Sequence, residues 1–506
     1  MSATALQSTG TDRRARFALR TGATILVLLL VGWLMAVART SDQVIIIGLG
    51  ILGTIILSLP LFFDRNYDIF EPMTAIFFLF LFGAPVKLCY IATVQDTNPY
   101  VLERLLKHEP LAAMIPGVLI AVMGLALMVF GYLLPSPKRA VPFVFFPKLQ
   151  NLSASKVQLV CFFIFMFSGL CFAMFVVTAG VSLSDISGKR FSDQAGSNAS
   201  RVFSAKYYLY RLAAFSKFPA YLSFAWLLHN RKGFMNWMGL LCVVSALQTM
   251  LVCVVVSSRA GIALMLLDFI LISYFVRGRK MNLYKVGLFA VVGCVGVMGI
   301  LSVRLDQQKG LSEVVEKTMV GRDMMDICKT VHIINAVPDK IEYRNGEMLY
   351  AWATALIPRS IWRDKPMWIE RGPYIMQNVF DSKNKISGIP PGYIAELYWN
   401  FGWLGVAVGM LLFGYLVRLF YMSFMSININ PVSSIIYTFF VTRFVLFSLG
   451  NDLGTGFIKL GLDLVPLLMI LCVVQKKRPA ELMTGVSTMA SKTIPTTTTL
   501  APKAAS

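Results

Sequence analysis

Arginine side chains in and beside apolar segments are the residues of this sequence best suited to chemistry. Arg259 begins an apolar stretch, Arg359 lies in the run Ile357–Pro366, and Arg443 stands inside another apolar stretch. Because a guanidinium keeps its charge and presents a planar fork of donors, a group of them suits a phosphate or a diphosphate. Further cations are candidate substrate-binding residues: Arg201, Arg211, Arg322, Arg363 and Lys365.

Transfer chemistry at such a site also needs a group that takes a proton. Glu396, about one turn after Pro391-Gly392, is the first candidate for this general base. The alternative for Glu396 is a structural ion pair with Arg443. His332 and Asp364 are weaker candidates for the general base than Glu396. Because His332 lies on an apolar helix face, it also fits a core histidine. The three histidines are far apart in sequence and lack the spacing of a zinc site, so we predict neither a metal nor a cofactor.

The composition requires a lipid environment. Hydrophobic residues make up 57% of the 506 residues and charged residues 14%, and the mean hydropathy is +0.67. These values exclude a soluble, a disordered or a disulfide-framework protein. The net charge of +21 is expected to set orientation in a membrane and to hold anions, not nucleic acid. Of the eight cysteines, Cys328 falls in a segment expected to be aqueous.

Apolar runs of about 20 residues predict transmembrane helices, because that length crosses ~30 Å of hydrocarbon. The fold expected is all-α and polytopic, with about twelve spans. They lie at 19–38, 44–63, 70–94, 111–134, 157–180, 207–229, 236–256, 260–276, 285–303, 393–421, 432–449 and 457–474.

Lys and Arg are more numerous in the connections on the side of the N-terminus, so the positive-inside rule predicts that both termini are cytoplasmic. Residues 1–303 form a nine-helix membrane region, and residues 304–392 a long extracytoplasmic loop. Residues 393–474 form a three-helix membrane region, followed by a disordered cytoplasmic tail at 475–506. Helical spacing of apolar residues predicts short helices in the loop, one of them around Ile327, Val331 and Ile334.

Three motifs carry a resemblance. Ile-Pro-Arg-Ser-Ile-Trp-Arg-Asp-Lys-Pro at 357–366 and Pro-Gly-Tyr-Ile-Ala-Glu-Leu-Tyr-Trp-Asn-Phe-Gly-Trp-Leu-Gly at 391–405 flank the end of the long loop. Ser-Arg-Ala-Gly stands at 258–261. Together they resemble the bacterial oligosaccharide repeat-unit polymerases of the O-antigen polymerase type, and the third motif is shared with the related O-antigen ligases.

The resemblance implies a membrane glycosyltransferase of GT-C-like fold in the bacterial inner membrane, with its active face in the periplasm. An undecaprenyl-diphosphate-linked oligosaccharide would be both donor and acceptor, and a chain-length regulator and a flippase would be partners in the same pathway. The family's functional arginines carry over onto Arg259 and Arg359, and with looser flanks onto Arg322. His332 is the candidate for the loop histidine of the ligases.

Two other functions remain open from the residues. An O-antigen ligase would use the same donor. A twelve-helix transporter or a lipid-linked oligosaccharide flippase fits the helix number, and Asp268 and Asp463 near helix middles are typical of transport relays. Against a transporter, the chain lacks two similar six-helix halves joined by a long central connection.

Overall fold

The computed structural model describes residues 10–64, 67–94, 106–107, 109–135, 153–179, 205–256, 259–278, 326–350, 361–362, 371–381, 389–426 and 429–474. In these residues the regular structure is helical throughout, with no strand.

Sixteen α-helices of the described residues make up the bundle. They are α1 Gly10–Val37, α2 Ser41–Phe63, α3 Pro72–Gly83, α4 Pro85–Val94, α5 Ile115–Leu133, α6 Ala154–Ala179, α7 Ala205–Ala213, α8 Lys217–His229, α9 Trp237–Val255, α10 Arg259–Val276, α11 Ile327–Ala336, α12 Arg371–Asn378, α13 Tyr393–Ser426, α14 Pro431–Phe439, α15 Leu446–Gly450 and α16 Leu453–Val474. A 3₁₀ turn precedes α5 at Leu111–Met114 and another joins α7 to α8, and the π-helix Phe440–Val445 joins α14 to α15.

The structure confirms a polytopic helical membrane protein. Within the described ranges, nine helical stretches are long and apolar enough to cross a membrane, and α10 is a shorter apolar helix. The predicted span 207–229 is also helical, as α7 and α8 with the 3₁₀ turn between them. The predicted span 285–303 and the C-terminal tail lie outside the described residues. So does the second short helix of the long loop, which the helical spacing of Leu311, Val314 and Thr318 predicts.

Large apolar side chains are exposed along the outer helices. Val177 of α6 is 79% exposed and Met469 of α16 is 67% exposed, as are many neighbours on the same helices. A soluble protein rarely exposes a contiguous apolar surface of this extent. These faces are therefore the lipid-facing surface of a membrane-embedded protein.

Helix α13 is broken, although the sequence predicts a single span at 393–421. Gly402 has φ 64° and ψ −155°, a conformation that glycine adopts readily and other residues do not. The segment before the break turns back along the segment after it, because the rings of Tyr393 and Phe413 lie 5.2 Å apart and Leu397 contacts Gly409. The predicted span is thus a helical hairpin with its turn at Gly402.

Helix α11, part of the predicted extracytoplasmic loop, packs inside the bundle. Ile327 borders a small cavity together with Gly53 and Val122, which lie near the middles of α2 and α5. At the other end of α11, Asn335 Nδ2 donates to the carbonyl oxygen of Ala113, 2.7 Å away. The helix therefore begins at mid-depth of its neighbours and runs back to their end. The expectation of an aqueous Cys328 is wrong, because this side chain is 1% exposed.

Candidate functional site

The centre of the candidate site is Arg443, in the π-helix that follows α14. Its Nη2 atom lies 2.6 Å from Asp268 Oδ2 of α10, and its Nε atom lies 2.9 Å from Asp463 Oδ2 of α16. All three side chains are buried. The predicted alternative of an Arg443–Glu396 ion pair is therefore wrong, because Arg443 takes the two carboxylates from the middles of other helices.

The chain of charges continues at both ends into α8. Lys217 Nζ forms an ion pair with Asp463 Oδ1, and the Tyr221 hydroxyl donates to Asp268 Oδ2 over 2.7 Å. An unbroken path of alternating charge thus runs from Lys217 to Asp268 through Arg443. It joins α8, α10, the π-helix and α16, and each buried charge in it has an opposite partner, as low dielectric surroundings require.

Two further cations surround this chain. Arg211 of α7 and Lys459 of α16 lie within electrostatic range of Lys217, and Lys459 Nζ sits 3.9 Å from the centre of the Phe447 ring. Among the described residues the cluster contains four basic side chains, Arg211, Lys217, Arg443 and Lys459, and two acidic ones, Asp268 and Asp463. We call these six residues the Arg443 cluster. Its excess of positive charge favours an anionic ligand.

Arg443 has one donor for which the described residues supply no acceptor. Arg443 Nη1 is buried and makes no hydrogen bond, whereas Nε and Nη2 are both engaged. A buried donor without a partner is unfavourable by about 1–3 kcal/mol, unless water or a ligand supplies an acceptor. The π-helix that presents Arg443 is a type of helical irregularity found frequently at functional sites. Arg443 Nη1 can therefore donate a hydrogen bond to an oxygen atom of a bound group.

The structure brings together only part of the predicted site. Arg443 and Arg211 share the cluster. Arg259 is the first residue of α10, but its side chain lies outside the described part of the chain. The remaining predicted cations are also outside the described residues: Arg201, Arg322, Arg359, Arg363 and Lys365. Lys217 and Lys459 are not among the predicted site residues, although a lysine within an apolar segment is itself a signal of function.

Glu396 is buried in the first half of the α13 hairpin. Its Oε2 atom accepts a hydrogen bond from the backbone N–H of Leu453 over 2.8 Å. Leu453 is the first residue of α16, and a carboxylate at this position satisfies a free N–H and complements the helix dipole. Glu396 thus holds the start of α16 in place, and its role as general base stays a prediction.

His332 lies on the buried side of α11, at 4% exposure. Its ring contacts Phe380 edge to face, with centroids 5.7 Å apart, and its Nδ1 atom lies 3.9 Å from Glu109 Oε2. This environment favours the alternative of a core histidine over that of a substrate-binding one.

A buried ion pair fixes the inner end of α11. Lys87 Nζ of α4 lies 2.8 Å from Asp326 Oδ1, and both side chains are almost fully buried. Asp326 also caps α11, because the same oxygen accepts from the backbone N–H of Cys328. Lys329 Nζ donates to the carbonyl oxygen of Gly450, at the end of α15. Helix α11 is therefore attached to the helix that follows Arg443.

A second buried charge cluster lies where α2 and α5 end and α3 begins. Arg418 of α13 bonds to Asp64 Oδ2 over 2.8 Å and to Glu71 Oε2 over 3.3 Å. The hydroxyl of Tyr132 also donates to Glu71 Oε2, 2.5 Å away. These contacts tie the ends of α2, α3, α5 and α13 together. Burial raises the pKa of Glu71 to about 7, partly offset by Arg418.

The raised pKa of Glu71 predicts a pH-dependent stability. Between its ordinary pKa of 4.5 and about 7, the folded protein keeps a proton that the unfolded chain releases. The free energy of unfolding should therefore fall by up to ~3 kcal/mol as the pH rises through this window, and then change no further from this group. Thermal unfolding in detergent at pH 5 to 8 measures the effect. Glu71→Gln should flatten the profile in this window, and an unchanged slope would contradict the assignment.

In the residues that the structure describes, no three His, Cys, Asp or Glu side chains gather as metal ligands do. The Arg443 cluster has the donor groups for an anion, since it combines cations with hydrogen-bond donors.

The comparisons with known proteins give one family. The family described as "Domain of unknown function (DUF8712)" matches residues 319–425. This segment contains the buried helix α11, helix α12 and most of α13, and thus also Glu396 and the hairpin at Gly402. No curated protein and no solved structure matches the chain.

Proposed function

We propose that this protein polymerises undecaprenyl-diphosphate-linked oligosaccharide repeat units at the outer face of the bacterial inner membrane, without a metal. The observation that carries the proposal is the Arg443 cluster, in which four basic side chains gather around two carboxylates inside a membrane-embedded bundle. A lipid diphosphate is an anion that stays at the membrane. A cationic cluster buried among spanning helices is suited to such a ligand.

The position of the cluster supports an outer-face reaction. Arg443 lies about two helical turns before Gly450, which accepts a hydrogen bond from Lys329 of α11. Helix α11 belongs to the long connection expected on the periplasmic side, where the motif around Arg359 also lies. The Arg443 cluster, which takes its carboxylates from helix middles, is thus linked through α15 to a segment of the predicted periplasmic loop.

Residues of this chain can assist each step of the glycosyl transfer. The acceptor hydroxyl oxygen attacks C1 of the donor sugar and forms the glycosidic bond. The bond between C1 and the diphosphate oxygen breaks, and its electron pair leaves with the lipid diphosphate. Arginines stabilise the charge that develops on this leaving group. Arg259, Arg322 and Arg359 are the first proposed residues for this role, and Arg443 is a further candidate. The proton of the hydroxyl passes to a carboxylate or an imidazole, for which Glu396 remains the first candidate.

Transport is the second candidate function, and a specific observation favours it. Asp268 and Asp463 are buried at helix middles and bound to Arg443, as in proton or ion relays of transporters. A transporter or a flippase would move a solute through the cluster without making a glycosidic bond. An O-antigen ligase would make the bond but would use a lipid A core as its acceptor.

The proposal is tested with purified protein and defined undecaprenyl-diphosphate oligosaccharide, without any other acceptor. We expect a ladder of polymer, with one lipid diphosphate released for each glycosidic bond formed. Transfer of the oligosaccharide to added lipid A core, with no polymer formed, would indicate a ligase. Movement of the lipid across proteoliposomes without a new glycosidic bond would indicate a flippase, and either result would overturn the proposal.

Variants of the predicted arginines give the second test. Arg259→Ala and Arg359→Ala should leave membrane insertion intact and abolish long chains, so that single repeat units remain on the cell surface. Arg359→Lys should also fail, because a lysine lacks the planar fork. The control Arg39→Ala changes an exposed arginine and should keep the normal ladder. A normal ladder on a polysaccharide gel for both Arg259→Ala and Arg359→Ala would remove them from the site.

A further inference from the structure

An apolar cavity lies between α1, α2 and α3, away from the Arg443 cluster. Its volume is about 400 Å³, and its walls include Leu26 of α1, Leu57 of α2, and Phe77 and Leu81 of α3. This size falls within the ~300–1,000 Å³ of typical small-molecule pockets. On α1 the wall is formed largely by small residues, among them Gly22 and Ala23. The small side chains leave room for one flexible hydrocarbon chain.

One end of this cavity is polar and basic. Arg20 Nε of α1 donates to the carbonyl oxygen of Leu61, 3.0 Å away, and Leu61 lines the cavity. Tyr67 and Thr74 line it too, and their hydroxyl groups lie 2.8 Å apart. Arg13, Arg14 and Arg16 precede Arg20 on the same helix. The cavity thus joins an apolar interior to a cationic end.

We propose that this cavity binds an anionic phospholipid of the cytoplasmic leaflet. One acyl chain would occupy the apolar part, and the phosphate would lie at Arg20. Charge complementarity favours this ligand, since basic pockets between transmembrane helices on the cytoplasmic side hold anionic headgroups. The positive-inside rule assigns this end of α1 to that side. The site is independent of the polymerase proposal, whose diphosphate would lie at the other face.

Glycines of α1 provide a matched pair of variants. A Cβ added at Gly22 meets no atom within 4 Å, so a leucine there would project into free space at the cavity wall without displacing the protein. Gly32 on the same helix also has no atom within 4 Å of an added Cβ, and it lies away from the cavity. Gly22→Leu should block the lipid, and Gly32→Leu should not.

The test is native mass spectrometry of the full chain in mild detergent, titrated with phosphatidylglycerol or phosphatidylcholine. We expect saturable binding of phosphatidylglycerol to the wild type and to Gly32→Leu. Gly22→Leu should lose it, and Arg20→Ala should bind about fivefold more weakly, as expected for the loss of one basic contact. Gel filtration confirms that each variant is folded, and Arg20→Ala serves alone if Gly22→Leu does not fold.

Two outcomes would overturn the inference. Equal binding of phosphatidylcholine and phosphatidylglycerol would show that charge is not recognised. Displacement of phosphatidylglycerol by undecaprenyl phosphate at a lower concentration would assign the cavity to an isoprenoid chain instead. Neither result bears on polymer formation, so failure here is distinguishable from failure of the polymerase proposal.

Discussion

Replacing Arg443 with alanine is expected to destabilise the folded protein by about 3–5 kcal/mol, because it leaves buried charge without its partner. Among the described residues, Asp268 then keeps no ion-pair cation, and Asp463 keeps only Lys217. Thermal unfolding in detergent measures the loss. Arg443→Lys should be intermediate, since a single ammonium group does not reproduce the two directed contacts of the guanidinium.

A combined variant separates stability from chemistry at the same position. Arg443→Ala with Asp268→Asn and Asp463→Asn removes the two carboxylates together with their cation, so most of the stability should return. Polymer formation should stay absent if Arg443 supports the lipid diphosphate. A combined variant that regains both stability and polymer would show that Arg443 has a structural role only. The control Arg39→Ala, at an exposed arginine, should change neither quantity.

Introducing valine at Gly414 is expected to prevent stable folding, and this is the second large effect. Helices α5 and α13 approach so closely that a Cβ at Gly414 would overlap the carbonyl oxygen of Met128. A Cβ at Gly131 would likewise overlap the carbonyl oxygen of Leu411. Small residues at these two positions let the helix backbones touch, which is a principal way that helices associate in a membrane. Because backbone atoms cannot yield as a flexible side chain can, α5 and α13 would have to separate.

The separation of α5 from α13 would also disturb both charged clusters, because Arg418 of α13 bonds to Glu71 and α13 supports the π-helix. We expect Gly414→Val to lose most of the folded, monodisperse protein in fluorescence-detected gel filtration, and Gly131→Val to behave alike. The control is Gly461→Val in α16, where an added Cβ meets no atom within 4 Å. Wild-type yield of Gly414→Val would contradict the close packing of these helices.

Hydropathy was sufficient to locate the membrane helices that the structure describes, because each long helix must satisfy its own backbone and be apolar over its length. It was not sufficient for α13. The Gly402 break lies in an apolar run that reads as one span, and only contacts such as Tyr393 with Phe413 reveal the reversal. Helix α11 was predicted from its spacing, but its burial was not, since amphipathic spacing does not say which neighbours cover the polar side.

The candidate site was likewise predictable only in part from the sequence. Arg443, Arg211, Asp268 and Asp463 stand out in sequence as charges in apolar segments, yet the ion pair considered for Arg443, as an alternative role of Glu396, was not with either aspartate. Each of these residues is far from its partner along the chain, so the pairing depends on how the helices are arranged around one another. The assembly of the Arg443 cluster from four α-helices and the π-helix, and the glycine contacts between α5 and α13, were decided by tertiary packing.

By itself, the sequence determined that the chain enters a membrane as helices and that cations are buried within it, because both depend on the local balance of apolar and charged residues. Only the tertiary structure decided which carboxylate neutralises each cation, where a span reverses and which loop helix enters the bundle. Those outcomes depend on contacts between distant segments, whose energies no local pattern records.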